Sequence, residues 1–241
     1  MERAQSFTVA SYNIHKAIGT DGGYDPERIL AVLAEIDADV VMLQEADRRF
    51  GPRIAVLPFA MIAARTGYQP VGVGAHPHGL GWHGNAALVS DRVTITAAIP
   101  LALPSLEPRG AILVETSIDG HPLRLAGMHL DLSGLRRRKQ ARAIMAQIEA
   151  RPERMPTVLM GDLNEWRRRS GCLIDFARNH VIAQTEPSFP AGRPFARLDR
   201  IMAGPGIEIT DCGTHRTPLS RIASDHLPVW ATLRFRPDQR D

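Results

Sequence analysis

Four apolar segments of the sequence each end in a polar residue of a kind that a hydrophobic core does not favour. The residues are Asn13, Glu45, His129 and Asp162, and the preceding runs are Thr-Val-Ala-Ser-Tyr, Val-Val-Met-Leu-Gln, Leu-Arg-Leu-Ala-Gly-Met and Thr-Val-Leu-Met-Gly. In α/β sheets, ligands bind in the crevice at the carboxyl ends of strands. Four polar strand ends in one chain therefore predict four contributions to a single site.

The segment Gly161-Asp162-Leu163-Asn164 is the most informative of these strand ends. Residues two apart on an extended chain point to the same side, so Asp162 and Asn164 should reach one small volume while Leu163 turns into the core. A carboxylate can orient and deprotonate a water, and an amide NH₂ can stabilise developing negative charge on a phosphate. The alternative is an ordinary turn, because Gly, Asp and Asn are common turn residues.

A second acidic segment could join this site, and Glu45 could bind a metal there. Asp225 and His226 precede the last apolar run. If that final strand is antiparallel to the others, its start lies at the edge where they end; the alternative is a local Asp–His hydrogen bond. Glu45 suits Mg²⁺, since this hard cation takes oxygen ligands and keeps several waters. Asp47, two residues further on, is expected at the surface.

Short apolar runs alternate with helical patterns along the whole chain, which predicts one mixed α/β domain over residues 1–241. Asp25 can cap the first helix, and Pro26 fits its first turn. The expected helices are Pro26–Ile36, Ile54–Arg65 and Leu135–Ala150. The expected strands are Phe7–Ile14, Val40–Gln44, Ala86–Ser90, Val93–Ala97, Ala111–Ser117, Leu123–Leu130, Thr157–Gly161, Leu198–Ala203 and Leu227–Phe235.

The composition indicates a protein that needs neither disulfides nor a membrane to fold. Its 241 residues are 44% apolar, and the two cysteines, Cys172 and Cys212, are too few for a disulfide framework. The N-terminus has no apolar stretch after its charges, and no run approaches the roughly 18 apolar residues of a membrane span. We therefore expect a cytoplasmic protein with reduced thiols.

The formal charge is only +3, but basic residues are clustered in Arg136–Lys139 and Arg167–Arg169. Either cluster could be a solvated face or could attract anions such as phosphates.

Taken together, the motifs resemble those of the endonuclease/exonuclease/phosphatase superfamily, which has the deoxyribonuclease-I-like fold. They follow that family's order from residue 11 to residue 226. The matching segments are Ser11-Tyr12-Asn13-Ile14-His15, Leu43-Gln44-Glu45, Gly84-Asn85-Ala86-Ala87-Leu88, Met128-His129-Leu130, Gly161-Asp162-Leu163-Asn164, Leu198-Asp199-Arg200-Ile201 and Ser224-Asp225-His226.

The resemblance implies a four-layered α/β sandwich, in which two packed mixed β-sheets are flanked by helices. It also implies a Mg²⁺ cofactor, for which Mn²⁺ can substitute, and a role for each matched residue. Glu45 would be the main metal ligand, with Asn13 and Asp225 close by. Asp162 would be the general base or position the attacking water, Asn164 and His129 would hold phosphate oxygens, and His226, oriented by Asp199, would stabilise the transition state.

Three residues are weaker candidates for substrate binding. Asn85 lies near a strand start where the family often has a polar residue, and the alternative is a turn or strand-edge Asn. Arg193 and Arg197 precede Asp199 and could clamp a phosphate, because a guanidinium can meet phosphate in a bidentate way; the alternative is a solvated loop. Trp82 and Trp166 could stack on a base or rest on a lipid; the alternative, which is commoner, is a tryptophan half-buried on a rim.

The expected function is hydrolysis of a phosphodiester or phosphomonoester, with a lipid head group or another small phosphodiester as the leading substrate class. This leaves peripheral contact with a membrane open. A DNA or RNA nuclease on the same fold is the alternative, although His129 stands where abasic-site endonucleases usually carry Tyr. A non-catalytic binding module is disfavoured, because Glu45, Asp162 and His226 are all kept. The sequence does not give the oligomeric state.

Overall fold

The computed structural model describes residues 6–48, 53–73, 78–104, 109–167 and 169–236. Two six-stranded sheets pack against each other, and helices cover their outer faces. The predicted four-layered sandwich is therefore confirmed. The strands are β1 (Ser6–Asn13), β2 (Val40–Gln44), β3 (Gln69–Pro70), β4 (Ala86–Val89), β5 (Val93–Leu101), β6 (Gly110–Ile118), β7 (His121–His129), β8 (Thr157–Asp162), β9 (Val181–Ile182), β10 (Asp199–Ala203), β11 (Ile207–Thr214) and β12 (Val229–Phe235).

Each sheet mixes parallel and antiparallel pairs. The first has the order β11-β12-β1-β2-β4-β3 and the second β5-β6-β7-β8-β10-β9. All nine predicted strands are present, although several end at slightly different residues. Strands β3, β9 and β11 were not predicted. Two of them have only two residues, and in β11 the alternation Ile207-Glu208-Ile209-Thr210 is short and is followed by a register shift at Asp211.

The helices are α1 (Pro26–Ile36), α2 (Phe59–Thr66), α3 (Gly134–Glu149), α4 (Cys172–Phe176) and α5 (Ser220–Ala223). Helix α1 begins as predicted, because the Asp25 side chain accepts a hydrogen bond from the Arg28 backbone N–H at 3.1 Å. The predicted start of the helix Ile54–Arg65 is wrong, because α2 begins at Phe59. Pro58 precedes α2, and a proline inside the helix would break its hydrogen bonding, so residues 54–58 remain outside it.

Aliphatic side chains fill the three interfaces between the four layers. Residues such as Val9, Met42 and Ile201 are buried between the two sheets. Leu33 of the helix Pro26–Ile36 packs against the first sheet, and Phe176 of the helix Cys172–Phe176 packs against the second. Burial of apolar area at about 25 cal/mol per Å² is the main force that holds such layers together.

The strand register brings the polar strand ends to one edge. His129 and Asp199 are both direct partners of Asp162, through β7 and β10 respectively. In the other sheet, Asn13 pairs with Gln44, the residue before Glu45. Strand β12 is antiparallel to β1, which confirms that the segment before it reaches the same edge.

Two smaller expectations need comment. Asp47 is buried, not at the surface as expected, and its Oδ1 accepts a hydrogen bond from the Leu80 backbone N–H at 2.7 Å. Both cysteines are free, which agrees with the expectation of reduced thiols. Within the described residues, every helix is too short or too polar to cross a membrane.

Candidate active site

Asp162 is the centre of the site and is almost completely buried. The preceding Gly161 has a φ of +147°, and a Cβ there would lie 1.9 Å from the Met128 carbonyl oxygen. Only glycine therefore allows strand β8 to approach β7 this closely just before Asp162. The Asp162 carboxylate accepts from the Asn164 backbone N–H at 2.9 Å and from Asn13 Nδ2 at 3.0 Å.

Asn164 reaches the same region as Asp162, but not for the reason given by the sequence pattern. Strand β8 ends at Asp162, and Asn164 has a φ of +49°, so a turn brings the two residues together instead of an extended chain. The Asn164 side chain donates to the Leu130 carbonyl at 3.0 Å, which fixes its orientation. Leu163 is fully buried, as predicted.

His226 and Asp199 form a buried pair beside Asp162. His226 Nδ1 lies 2.9 Å from Asp199 Oδ2, and its Nε2 lies 3.8 Å from Asp162 Oδ2. The Ser188 hydroxyl also donates to Asp199 Oδ2, at 2.5 Å. Burial by itself lowers the pKa of His226, but the carboxylates of Asp199 and Asp162 outweigh it and raise the pKa to about 10. The ring is thus a cation at neutral pH.

His129 faces Asp162 from the other side, with its Nε2 at 3.4 Å from Asp162 Oδ2. Burial lowers the pKa of His129. The Asp162 carboxylate raises it and the Arg109 guanidinium lowers it further, and on balance the pKa falls to about 4. The guanidinium of Arg109 also contacts His129 Nε2, and an arginine can only donate. His129 is therefore a neutral imidazole next to a charged His226, and the two rings have different chemistry.

Glu45, Asn13 and Asp225 are the predicted metal ligands, and they lie around the same group of residues. Asn13 Oδ1 accepts from the His15 backbone N–H at 3.1 Å, and His15 Nδ1 lies 3.9 Å from Asp225 Oδ1. Glu45 binds the ammonium group of Lys16. Burial raises the pKa of Glu45, but the neighbouring His129 and Lys16 lower it to about 2 on balance.

These three residues fit a hard divalent cation. Two carboxylates and an amide oxygen are the donors that Mg²⁺ prefers. The Lys16 ammonium group also shows that the Glu45 carboxylate holds a positive charge at this position. Glu45 lines a small cavity of about 40 Å³, which has His129 and Arg53 among its other lining residues and has room for a single small ion.

A different group of residues has the spacing of a metal site. Ligand atoms of Asp162, Asp199 and His226 lie within 4.8 Å of one another. However, His226 Nδ1 is already bound to Asp199, and a protonated imidazole has no lone pair for a metal. The arrangement therefore favours a proton-carrying pair beside Asp162 over a second ion site.

The three predicted substrate-binding residues lie in different environments. Asn85 is completely buried, and its Nδ2 donates to the carbonyls of Trp82 and Gly110. Both N–H bonds of the Asn85 amide are therefore engaged within the protein, and its contact with phosphate stays a prediction. Arg197 donates to the Thr185 carbonyl at 2.7 Å, whereas Arg193 is exposed.

The basic clusters are only partly available to anions. Arg137 is buried against Glu165 at 3.2 Å, and Arg138 lies 3.3 Å from Asp175, so both are engaged inside the protein. Arg167 and Arg169 are exposed, and Arg168 lies outside the described residues.

Sequence reasoning missed three residues that contact the site. Lys16 binds Glu45, Arg109 contacts His129, and Ser188 donates to Asp199. Lys16 follows Asn13 closely, so its position after a strand end was a usable signal. Arg109 and Ser188 lie in loops without a periodic pattern, and only the fold brings them to the site.

A sequence model of the endonuclease/exonuclease/phosphatase family matches residues 10–226. The chain belongs to this family. Family members are hydrolases that act on phosphoester bonds. The matched range includes every strand-end residue described above, so the family and the geometry point to the same edge of the sandwich.

Individual relatives agree with this family in sequence and in fold. The uncharacterized protein YbhP of Escherichia coli (strain K12) is 25% identical over 253 residues, which cover 95% of this chain and 97% of YbhP. Among solved structures, the mannosyl-6-phosphatase Bt3783 of Bacteroides thetaiotaomicron VPI-5482 has a TM-score of 0.71 at 20% identity, with 95% and 100% of the two chains covered. The D. rerio TDP2 structure complexed with a single-strand DNA product has a TM-score of 0.72 at 17% identity, with 95% and 99% covered. At these identities the structures show the shared fold alone.

Proposed function

We propose that this protein is a divalent-metal-dependent phosphoesterase that hydrolyses a phosphodiester or phosphomonoester by attack of water on phosphorus. The observation that carries the proposal is the buried cluster in which Asp162 lies between a neutral His129 and a protonated His226. A carboxylate that can take a proton from water and a cationic imidazole that can stabilise negative charge, at one sheet edge, are what such a reaction needs.

Asp162 orients the attacking water and accepts its proton, because its carboxylate is held on both oxygens and cannot rotate away. His226 donates toward the phosphoryl oxygens or the leaving oxygen, and Asp199 keeps its ring in place through Nδ1. The Asn164 amide holds a further phosphate oxygen, and neutral His129 holds another once its Nε2, which accepts from Arg109 here, carries the ring proton and donates instead. The chain thus positions the reactants and supplies opposite charge where negative charge develops.

Mg²⁺ is the proposed cofactor, held by Glu45, Asn13 and Asp225. When bound, it would supply Lewis-acid polarisation of a phosphoryl oxygen. Lys16 is the residue that must move aside for it, since its ammonium group contacts the Glu45 carboxylate.

A small phosphodiester, such as a lipid head group, is the leading substrate, and a nucleic acid is the alternative. The TDP2 structure with a DNA product supports the alternative, because it places a single DNA strand on a similar fold. A panel of hydrolysis assays separates the two. It compares the rate on bis(4-nitrophenyl) phosphate and glycerophosphodiesters with cleavage of a fluorescent oligonucleotide and nicking of a plasmid. Cleavage of the oligonucleotide at the higher kcat/KM would assign a nuclease.

The test of the core proposal uses purified protein with and without EDTA and the variant Asp162→Asn. We expect EDTA to abolish hydrolysis and Asp162→Asn to lower kcat by at least about 100-fold, the usual contribution of a positioned general base. Asp211→Asn is the matched control, because Asp211 is exposed on an edge strand. Full activity of Asp162→Asn at wild-type purity would refute the role of this carboxylate.

A further inference from the structure

The loops around the candidate active site carry several large apolar side chains that are open to solvent. Five of them are between 45% and 79% exposed, whereas apolar side chains of this size are normally buried. We call this group the apolar rim. Its members are Leu132, Leu135, Trp166, Phe195 and Ile222.

Aromatic contacts connect the apolar rim to the catalytic cluster. The rings of Trp166 and Phe195 are 6.1 Å apart, and Trp166 also meets Phe189 edge-on at 6.0 Å. Phe189 in turn lies 4.8 Å from the ring of His226. The rim is therefore a continuation of the site and not a separate patch.

Polar contacts connect the segments that carry Leu132 and Ile222 to the loops beside the site. Arg137 donates to the Leu132 carbonyl and pairs with Glu165, which precedes the exposed tryptophan. On the other side, Arg221 in helix α5 donates to the Gly192 carbonyl at 2.9 Å. These bonds hold three loops and the short helix in one arrangement around the site.

Positive charge accompanies the apolar rim. The four segments that carry it, residues 132–139, 166–171, 187–198 and 219–223, contain ten Arg or Lys residues and no Asp or Glu. Arg137 and Arg138 pair with Glu165 and Asp175, so the positive charge available at this face comes from the other basic residues. The basic side chains of these segments that the structure describes as exposed are Lys139, Arg167, Arg169, Arg193 and Arg221.

Exposed apolar groups surrounded by basic residues match the surface of an anionic bilayer. Apolar side chains enter the boundary between head groups and acyl chains, and each Lys or Arg near the surface adds electrostatic attraction. A single-stranded nucleic acid would use the aromatic rings and the charges, but it offers nothing to Leu132, Leu135 and Ile222, because bases stack on rings and not on aliphatic chains.

We propose that the apolar rim docks this protein on the surface of an anionic phospholipid bilayer, with the candidate active site facing the head groups. The inference rests on the proposed function only in naming the substrate class, a phosphoester presented in that surface. Docking itself requires no hydrolysis.

The experiment measures co-sedimentation of the full chain with vesicles of phosphatidylcholine, with and without about 30% phosphatidylglycerol, in EDTA. We expect binding to the anionic vesicles that weakens as salt is added, because the surface charges are screened. The double variant Trp166→Ser/Phe195→Ser should partition at least about tenfold more weakly, since it removes two interfacial anchors.

The matched control is Val181→Ser. Val181 is as exposed as Phe195, at 66% against 65%, but it pairs with Ala203 at the end of β10 away from Asp199. It should bind vesicles like the wild type, and circular dichroism should show all three proteins folded.

Wild-type protein that fails to bind anionic vesicles, or a rim variant that binds them normally, overturns the proposal. Rim-dependent binding of a single-stranded oligonucleotide tighter than that of vesicles assigns the surface to nucleic acid instead. Since EDTA blocks turnover, these outcomes are independent of whether the protein hydrolyses phosphoesters.

Discussion

The hydrogen bond between His226 Nδ1 and Asp199 Oδ2 gives the most direct test of the proposed mechanism. Both side chains are buried, and the two atoms are 2.9 Å apart. The change Asp199→Asn keeps the size of the side chain but removes the charge that orients and stabilises the imidazolium. Ser188, which donates to the same oxygen, stays in place.

The expected effect follows from the strength of that bond. A hydrogen bond to a charged group contributes about 1.5–3 kcal/mol, and each 1.4 kcal/mol is about a factor of ten in rate. We therefore expect kcat to fall about 10- to 150-fold. Asp199 is buried behind His226, so the loss should appear in kcat with little change in KM.

The assay is steady-state hydrolysis of bis(4-nitrophenyl) phosphate at saturating Mg²⁺, together with thermal unfolding. Asp175→Asn is the control, since Asp175 is also a buried carboxylate but pairs with Arg138 and Arg142 on the outer helices. The control should lower Tm while kcat stays within about twofold of wild type. A folded Asp199→Asn enzyme with wild-type kcat would refute the role of this pair.

Three other predictions follow from single contacts. Gly161→Ala should abolish activity and lower Tm, because its Cβ would collide with the Met128 carbonyl; circular dichroism and the same hydrolysis assay check this. Glu45→Gln should raise the Mg²⁺ concentration for half-maximal activity at least about tenfold, as measured by metal titration, and an unchanged titration curve would remove Glu45 from the metal site. Hydrogen bonds from Arg151 and Arg124 hold the pKa of Glu115 below its ordinary value, against the effect of burial. Its contribution to stability is therefore complete above the pKa of about 4.3 in the unfolded chain and is lost as the pH falls through the lower folded value. Glu115→Gln should cost about 3 kcal/mol in urea unfolding at pH 7, because it leaves buried arginine charge unpaired, and a cost that is the same at pH 3 would contradict this account.

Local patterns were sufficient for the central elements of the fold and for most of the site. Strand β2 and helix α1 have the predicted bounds, because an uninterrupted apolar run and a capped amphipathic helix are specified by neighbouring residues. The start of α2 is also marked locally, by Pro58, but the predicted start at Ile54 ignored that proline. Strand β11 depends on its pairing with β12, a contact with residues that are close in space and separate in the local pattern.

The site shows the same division. Asn13, Glu45, His129 and Asp162 were recognisable because each ends an apolar run, and strand ends are where sheets bind ligands. The protonation states of the site histidines could not be recognised in this way. Two histidines with the same intrinsic pKa are neutral at position 129 and charged at position 226 only because different neighbours surround them.

The sequence by itself determined which residues are candidates for the chemistry, which family they resemble and that two layered sheets would hold them, since residue type and spacing are local properties. Only the tertiary structure decided that Lys16 binds Glu45, that Asn85 is sealed inside the protein and that Trp166 and Phe195 stand exposed beside the site. Burial and long-range contact depend on how distant segments pack, and no window of neighbouring residues contains that information.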